Sequence, residues 1–279
     1  MSTEAQGGDA GPVRYEVDGS TALITLDAPH NRNALTPELV AGIEDGLTKA
    51  EEDSAVRAVV LTHTGRVFCA GADLKGQSKT SGEQGEGDDG AALETLKERS
   101  RHGGRVMRRL LASPRPIIAA IDGHVRAGGM GFVAACDVVI AGPGATFGLS
   151  EVRVGVVAAT IGPLVLARIG ERTAAEWFLR GNAVSAAEAQ SAGFVTRAVD
   201  GEDVSVDRAV EEVLADLRKG APAALAASKA LVNRAVLMRV DREDEEMVDL
   251  SAGFFAGADA QLGMAAFLNK EQPPWVVDR

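Results

Sequence analysis

The sequence is poor in cysteine, histidine and aromatic residues. Of its 279 residues only two are cysteines and four are histidines, while Phe, Trp and Tyr together make up 4%. Two cysteines offer no disulfide framework, which favours a reducing compartment. The histidines lack the spacing that is typical of metal ligands, so no metal site is predicted.

Positive charge and long apolar runs are also scarce. Lys and Arg number 29 against 40 Asp and Glu, which gives a formal net charge of −11 and a pI near 4.9. So acidic a chain is not expected to bind nucleic acid or an anionic membrane surface. No apolar stretch reaches the ~18 residues of a membrane helix, and the N-terminus has no signal-peptide core. These absences predict a cytoplasmic protein without nucleic-acid or membrane partners.

What is present is enough apolar sequence for a large core, since 46% of the residues are hydrophobic. Residues 1–12 are polar and Gly-rich and are predicted to be a disordered tail. Residues 13–204 alternate between strand and helix patterns, which predicts a mixed α/β core built from repeated ββα units. Residues 205–279 have helical patterns alone and are predicted to form a separate module packed elsewhere, with its last helices at 222–236, 242–256 and 260–270.

The local signals in the first half of the chain are distinct. Residues 13–17 and 21–26 read as a hairpin, and Thr36 followed by Pro37 predicts the start of a helix. Apolar strands are expected at 57–62 and 117–121. The segment 76–90 contains five glycines and four acidic residues and is expected to be a loop, either a lid over the site or a surface insertion.

The run FCAGADLK at 68–75 follows the strand predicted at 57–62. Gly71 can adopt backbone angles that are closed to other residues, so the N–H of the next residue, Ala72, is expected to point out of the turn. A second Gly-rich turn, AGGMG at 127–131, opens a helix and is expected to leave the N–H of Gly128 unpaired. Two such donors directed at one carbonyl oxygen would form an oxyanion hole.

Four segments carry a family resemblance: FCAGADLK, the stretch from Ile117 to His124, AGGMG with the following AACD, and SEVRVG at 150–155. Together they resemble the crotonase (enoyl-CoA hydratase/isomerase) superfamily, from about Tyr15 to Trp275. The resemblance implies a spiral ββα core at 13–204 and a C-terminal helical trimerisation region at 205–279. It also implies a homotrimer or a dimer of trimers that acts on acyl-CoA thioesters in fatty acid and lipid metabolism.

Hydration of a conjugated double bond needs a carboxylate near the water and near Cα. In the better-known hydratases two glutamates twenty residues apart share this task. The resemblance places Glu151 at the later position as a catalytic acid/base, but Gly131 occupies the earlier one. The LSEVRVG and IGER motifs are most similar to single-glutamate hydratases related to methylglutaconyl-CoA hydratase. Glu94 and Glu98 are candidates for a replacement acid.

Three functions therefore stay open. A 2-enoyl-CoA hydratase that uses Glu151 alone is the preferred interpretation. A Δ3,Δ2-enoyl-CoA isomerase is the first alternative, because it needs one base to move a proton. A non-catalytic CoA-binding homologue that lost activity with the carboxylate at position 131 is the second.

The resemblance also predicts the residues that bind coenzyme A. CoA is part of the substrate, so no separate cofactor is expected. The loop with Arg32 and Ala34 is expected near the phosphates and adenine, and the C-terminal Lys270 is expected to reach CoA from an adjacent subunit. The first oxyanion turn is expected to line the pantetheine and adenine side through Ala70, Gly71, Asp73 and Leu74.

Overall fold

The computed structural model describes residues 11–73 and 89–277, which contain two β-sheets. The larger sheet has the order β1-β2-β3-β5-β7-β10, and apart from the antiparallel β1–β2 pair its strands are parallel. Its strands are β1 Val13–Asp18, β2 Thr21–Leu26, β3 Ala58–His63, β5 Ile117–Ile121, β7 Val138–Ala141 and β10 Arg197–Ala198. The smaller sheet has the order β4-β6-β8-β9, with strands Val67–Cys69, His124–Arg126, Thr146–Gly148 and Ala183–Ser185.

Helices alternate with the strands, and the C-terminal elements that follow β10 are all helices. In chain order they are α1 Pro37–Glu52, α2 Asp89–Ala112, α3 Gly128–Ala135, α4 Gly162–Leu166, α5 Glu171–Arg180, α6 Ala186–Ser191, α7 Val206–Leu217, α8 Pro222–Ala256 and α9 Ala258–Asn269. Short 3₁₀ turns lie at Pro29–Asn31 and Glu151–Val154.

The repeated unit predicted from the sequence is present. Each unit places one strand in the large sheet and the next in the small sheet, and then turns into a helix: β3-β4-α2, β5-β6-α3 and β7-β8-α4. The prediction of a mixed α/β fold is confirmed. Local signals also match, since Thr36 caps α1 by accepting a hydrogen bond from the N–H of Leu39 at 3.2 Å.

The central parallel strands of the large sheet are buried on both faces, as expected for parallel strands covered by helices, whereas the edge strand β1 is largely exposed. All five residues of β5 are buried. One face packs in the main core against α1 and α2, and the other packs against α7 through Val210 and Leu214. The two Gly-rich turns and the 3₁₀ turn at Glu151–Val154 follow β4, β6 and β8, which belong to the smaller sheet.

The prediction of separate helices at 222–236 and 242–256 is wrong, because α8 runs unbroken through 35 residues. No glycine or proline occurs between Pro222 and Gly253 to end it. The C-terminal helices also pack on the core of their own chain, α8 against α2 and α9 against the 3₁₀ turn at Glu151–Val154.

A buried ion pair attaches α8 to the core. The Nζ of Lys229 lies 2.8 Å from Oδ2 of Asp137 and donates to the carbonyls of Leu110 and Arg115 at 2.8 and 2.9 Å. Asn233, one turn further along, donates to Oδ1 of Asp137 at 3.0 Å. Because Asp137 follows α3, this cluster fixes α8 relative to the second oxyanion turn.

In the described ranges, no helix combines the length and apolar character needed to cross a lipid bilayer. The same ranges contain no group of three or more His, Cys, Asp or Glu side chains arranged to hold a metal ion.

Candidate active site

The two turns singled out from the sequence lie against each other. Gly71 has φ of +86°, and a Cβ added there would come 2.6 Å from Cβ of Ala127 and 3.5 Å from the backbone N of Gly128. No L side chain fits this conformation and this contact together. Glycine at position 71 therefore allows the close approach of the two turns.

Two backbone N–H groups remain available where the turns meet. The N–H of Gly71 donates to Sγ of Cys69 at 3.4 Å, and the carbonyl of Gly71 accepts from Leu35 at 2.8 Å. Among the described residues, neither Ala72 nor Gly128 donates its N–H to a protein acceptor. An oxyanion hole requires two such N–H groups without a protein acceptor.

The second turn is held in an unusual conformation. Ala127 has φ of +49° and ψ of −125°, a combination that favours glycine and costs of order 1–3 kcal/mol for other residues. Its N–H donates to the carbonyl of Gly148 at 3.0 Å, which ties the turn to β8. Strain at Ala127 thus orients the first residue of α3, Gly128, toward Gly71.

Glu151 is the first residue of the 3₁₀ turn that follows β8. It is 8% exposed, and its Oε2 has no hydrogen-bond partner in the part of the chain that the structure describes. Burial raises the pKa of its carboxyl group to about 7. A carboxyl group with such a pKa can both accept and donate a proton near neutral pH.

Glu151, Ala72 and Gly128 line one cavity of about 1350 Å³. This exceeds the roughly 300–1,000 Å³ of most small-molecule sites. Apolar side chains from the core and from the C-terminal helices form much of its wall, among them Met107, Phe132, Ile161, Phe255, Phe267 and Leu268. The cavity suits a long, largely apolar ligand with one reactive end.

The packing around Gly131 leaves no room for a side chain. A Cβ at this position would lie 2.5 Å from Sδ of Met107 and closer still to Cγ2 of Ile161. The space in which a second glutamate would stand is therefore filled by Met107 and Ile161.

Both candidates for a replacement acid are paired with arginines. Glu98 lines the cavity, but it pairs with Arg105 at 2.8 Å, and this hydrogen bond lowers the pKa of its carboxyl group. Glu94 pairs with Arg101 at 2.6 Å. Of the described acids on the cavity wall, Glu151 alone is buried.

Most of the residues predicted to bind CoA lie on the cavity wall: Arg32, Ala34, Ala70 and Asp73. The loop before α1 is fixed by buried Asn33, which donates to the carbonyl of Val67 at 2.8 Å and accepts from Ala28 at 2.8 Å. Lys270 caps α9 and does not line the cavity of its own chain. Leu74 and residues 76–88 of the predicted loop lie outside the described residues.

Cys69 is not a nucleophile candidate, since complete burial raises the pKa of its thiol to about 12. Sequence reasoning missed the apolar wall and two cavity-lining arginines, Arg126 and Arg153. Arg126 lies two residues before Gly128, and Arg153 lies two residues after Glu151. Their proximity to the motifs was the signal that could have identified them.

Comparison with known proteins identifies the family. Residues 16–277 match the family described as Enoyl-CoA hydratase/isomerase. The chain belongs to the enoyl-CoA hydratase/isomerase family. The predicted superfamily and its fold are thereby confirmed, and the members of this family act on acyl-CoA substrates.

Individual relatives cover almost the whole chain. Mevalonyl-coenzyme A hydratase of Aspergillus fumigatus is 33% identical over 278 residues, 99% of this chain and 98% of the relative. The 2,3-dehydroadipyl-CoA hydratase of Escherichia coli is 31% identical over 252 residues, 90% of this chain and 93% of the relative. The crystal structure of an enoyl-CoA hydratase from Mycobacterium avium is 42% identical, with a TM-score of 0.85 and coverage of 95% of this chain and 99% of that one.

Proposed function

We propose that this enzyme adds water to the 2,3 double bond of a 2-enoyl-CoA thioester. The observation that carries the proposal is one cavity lined by a buried carboxyl group with a pKa of about 7 and by two backbone N–H groups that have no acceptor among the described residues. Relatives named as hydratases support the same reaction.

In the proposed mechanism the thioester oxygen accepts hydrogen bonds from the N–H groups of Ala72 and Gly128. Ionised Glu151 takes a proton from water as the water oxygen forms a bond to C3. The electron pair of the double bond moves to C2 and the thioester oxygen, and the two donors stabilise the resulting enolate. Protonated Glu151 then returns its proton to C2, so that one water molecule is added and the enzyme is regenerated.

Two backbone donors account for much of the expected rate. Removal of one donor from an oxyanion hole typically costs about 10²–10³ in rate. A single carboxyl group is sufficient for both proton transfers, provided that its pKa lies near the working pH. Burial of Glu151 meets that condition.

An isomerase that moves the double bond between the 3,4 and 2,3 positions is the second candidate. The filled space at Gly131 favours it, because isomerisation needs one carboxylate and no site for an activated water. A non-catalytic CoA-binding protein is disfavoured, since such a protein gains nothing from an unpaired buried carboxyl group at Glu151.

The test is a mass-resolved assay of the wild type and Glu151→Gln with crotonyl-CoA, 3-methylglutaconyl-CoA and 3-hexenoyl-CoA. A hydratase adds the mass of water to a conjugated substrate, and Glu151→Gln abolishes that gain. Isomerisation of 3-hexenoyl-CoA without hydration would assign the protein to the isomerases. Binding of CoA without any turnover would favour the non-catalytic alternative.

We further propose a homotrimer or a dimer of trimers as the working assembly. The apolar side chains of Leu231, Val232 and Met238 on α8 are 72%, 73% and 65% exposed in the single chain. An apolar surface of this kind indicates a protein–protein contact. Light scattering should give three or six times the chain mass, and a monomer would contradict the proposal.

A further inference from the structure

Arg126 lies on the face of the small sheet that lines the cavity, two residues before the oxyanion donor Gly128. Its guanidinium donates to the carbonyls of Val125 and Thr146 at 2.9 and 2.8 Å and to Oγ1 of Thr146 at 2.8 Å. All three acceptors are uncharged. Within 11–73 and 89–277, no carboxylate forms an ion pair with this half-buried cation.

Arg153 also lines the cavity. It lies two residues after Glu151, and its guanidinium donates to the carbonyl of Arg180 at 3.2 and 3.3 Å. Gly181 lies beneath it, since a Cβ there would be 3.2 Å from Nε of Arg153. It too has no acidic partner in the described ranges.

The strand register brings the two arginines to one part of the cavity. Arg126 is paired across the small sheet with Gly148, and Gly148 is paired with Ala183, two residues after the Gly181 that underlies Arg153. Gly181 and Ala183 both line the cavity. His124 shares this face of the sheet, with its Nδ1 2.9 Å from Oγ1 of Thr146.

The part of the cavity wall that contains Arg126 and Arg153 is positively charged, whereas the protein as a whole is acidic. The chain has a net charge of −11, and many surface arginines pair with acids, as Arg197 does with Glu212 at 2.6 Å. Burial of Arg126 without a counter-ion is unfavourable and lowers the pKa of its guanidinium. An anionic ligand group would relieve this cost, because bonds between guanidinium and carboxylate or phosphate are charge-assisted.

We propose that Arg126 and Arg153 form an anion subsite that binds a negatively charged group of the acyl-CoA. The group is either a carboxylate at the far end of the acyl chain or a phosphate of the CoA moiety. The proposal rests on the proposed function for its ligand class, but it does not require turnover.

The test is calorimetric titration of the full-length protein with CoA, with butyryl-CoA, which has a neutral acyl group, and with glutaryl-CoA, which has a terminal carboxylate. All three are saturated or lack an acyl group, so binding is measured whether or not the enzyme hydrates a substrate. The variants are Arg126→Met and Arg153→Met, and Arg208→Met, an exposed arginine outside the cavity, is the control. Because Arg153 is exposed, its variant is expected to fold even if Arg126→Met does not.

If the subsite binds an acyl carboxylate, the wild type prefers glutaryl-CoA, and each variant loses about tenfold or more in affinity for that ligand alone. If it binds a phosphate, each variant loses a similar factor for all three ligands. Unchanged affinities in both variants overturn the proposal. A change in oligomer mass with unchanged affinities also overturns it and assigns the arginines to a contact between subunits.

Discussion

At the residue scale, the reactivity of the site depends on the burial of one carboxyl group. Glu151 is 8% exposed, and one of its oxygens has no partner among the described residues. Burial disfavours its ionised form, so the pKa of its carboxyl group rises to about 7 from 4.5. Burial of this carboxyl group therefore destabilises the folded protein progressively as the pH rises from 4.5 to about 7.

Glu151→Gln should remove this destabilisation. The folded-state pKa lies above the unfolded one, so stability from the protonated group is complete below pH 4.5 and is lost as the pH rises through about 7. The pKa difference corresponds to about 3 kcal/mol at pH 8. Urea unfolding should show Glu151→Gln more stable than the wild type at pH 8 by up to that amount, with little difference at pH 4.5.

The control for this prediction is Glu246→Gln, which removes an exposed carboxyl group from α8. Its stability relative to the wild type should depend only weakly on pH. A Glu151→Gln variant whose relative stability is the same at both pH values would show that the group titrates normally.

Gly71→Ala should damage both activity and folding. The new Cβ would meet Ala127 at 2.6 Å and separate the two turns, so a loss of about 10²–10³ in kcat is expected. Gly19→Ala is a matched control, because Gly19 also has positive φ, +57°, but has no atom within 4 Å of the added Cβ. It should lose stability by about 1 kcal/mol and keep full activity. Equal activities of the two variants would contradict the proposed role of the Gly71 turn.

The sequence was sufficient to predict the missing carboxylate at Gly131, because the residue type itself carries that information. It was not sufficient to predict that Met107 and Ile161 occupy the vacated space. Both residues are distant in sequence, and apolar side chains at helical spacing do not reveal which gap they fill. The two unpaired arginines were missed for the same reason, since pairing between strands decides what they face.

At the element scale, α3 connects the cavity wall to the attachment of α8. Its N-terminus supplies the N–H of Gly128, while near its C-terminus the carbonyl of Ala134 accepts from Nε of Arg168 at 2.8 Å. Asp137, just beyond the helix, pairs with Lys229 of α8 and accepts from the N–H of Ile117 at 2.7 Å. The donor end of α3 is therefore fixed by contacts at its opposite end.

Lys229→Met should lower the free energy of unfolding, because it leaves the largely buried carboxylate of Asp137 without its cationic partner. Breaking a buried pair in this way typically costs about 3–5 kcal/mol. Lys219→Met, which removes an exposed partner of Asp216, should cost about 1 kcal/mol or less. Urea unfolding of both variants compares them, and similar losses would contradict the structural role of the buried pair.

The strands and helices could be predicted from the sequence to different degrees. Strands β2, β3 and β5 were predictable because β-branched apolar runs end at turn residues. The continuity of α8 was not predicted, since the sequence interpretation divided this helix at 237–241. Leu237, Met238 and Arg239 are good helix formers, and ion pairs with α2, such as that between Arg108 and Asp241, hold this stretch in place.

At the scale of the whole molecule, the C-terminal helices complete the cavity that the core begins. Helix α9 packs on the 3₁₀ turn that carries Glu151, and Gly263 lies at this contact. A Cβ at Gly263 would lie 2.5 Å from the carbonyl group of Val154 and 2.7 Å from Cη2 of Trp275. The catalytic turn is thus confined between β8 and the last helix.

Gly263→Val should therefore lower kcat without touching the reacting groups. The larger side chain would displace the turn at Glu151–Val154, and overpacking of this kind costs about 1–3 kcal/mol in stability. Gly253→Ala, with no atom within 4 Å of its added Cβ, should retain activity and gain slightly in helix stability. Steady-state kinetics and thermal unfolding compare the two, and an unaltered kcat in Gly263→Val would show that α9 does not position Glu151.

The uninterrupted length of α8 has a mechanical consequence. Its 35 residues span about 52 Å, and the buried Lys229 secures the helix near its beginning. A helix without internal glycine or proline over most of this length resists bending and kinking. The joint to α9 is Gly257, in extended backbone with φ of −73° and ψ of 157°. We expect rotation at that joint to move α9, with its cavity-lining side chains Phe267 and Leu268, while α8 stays straight.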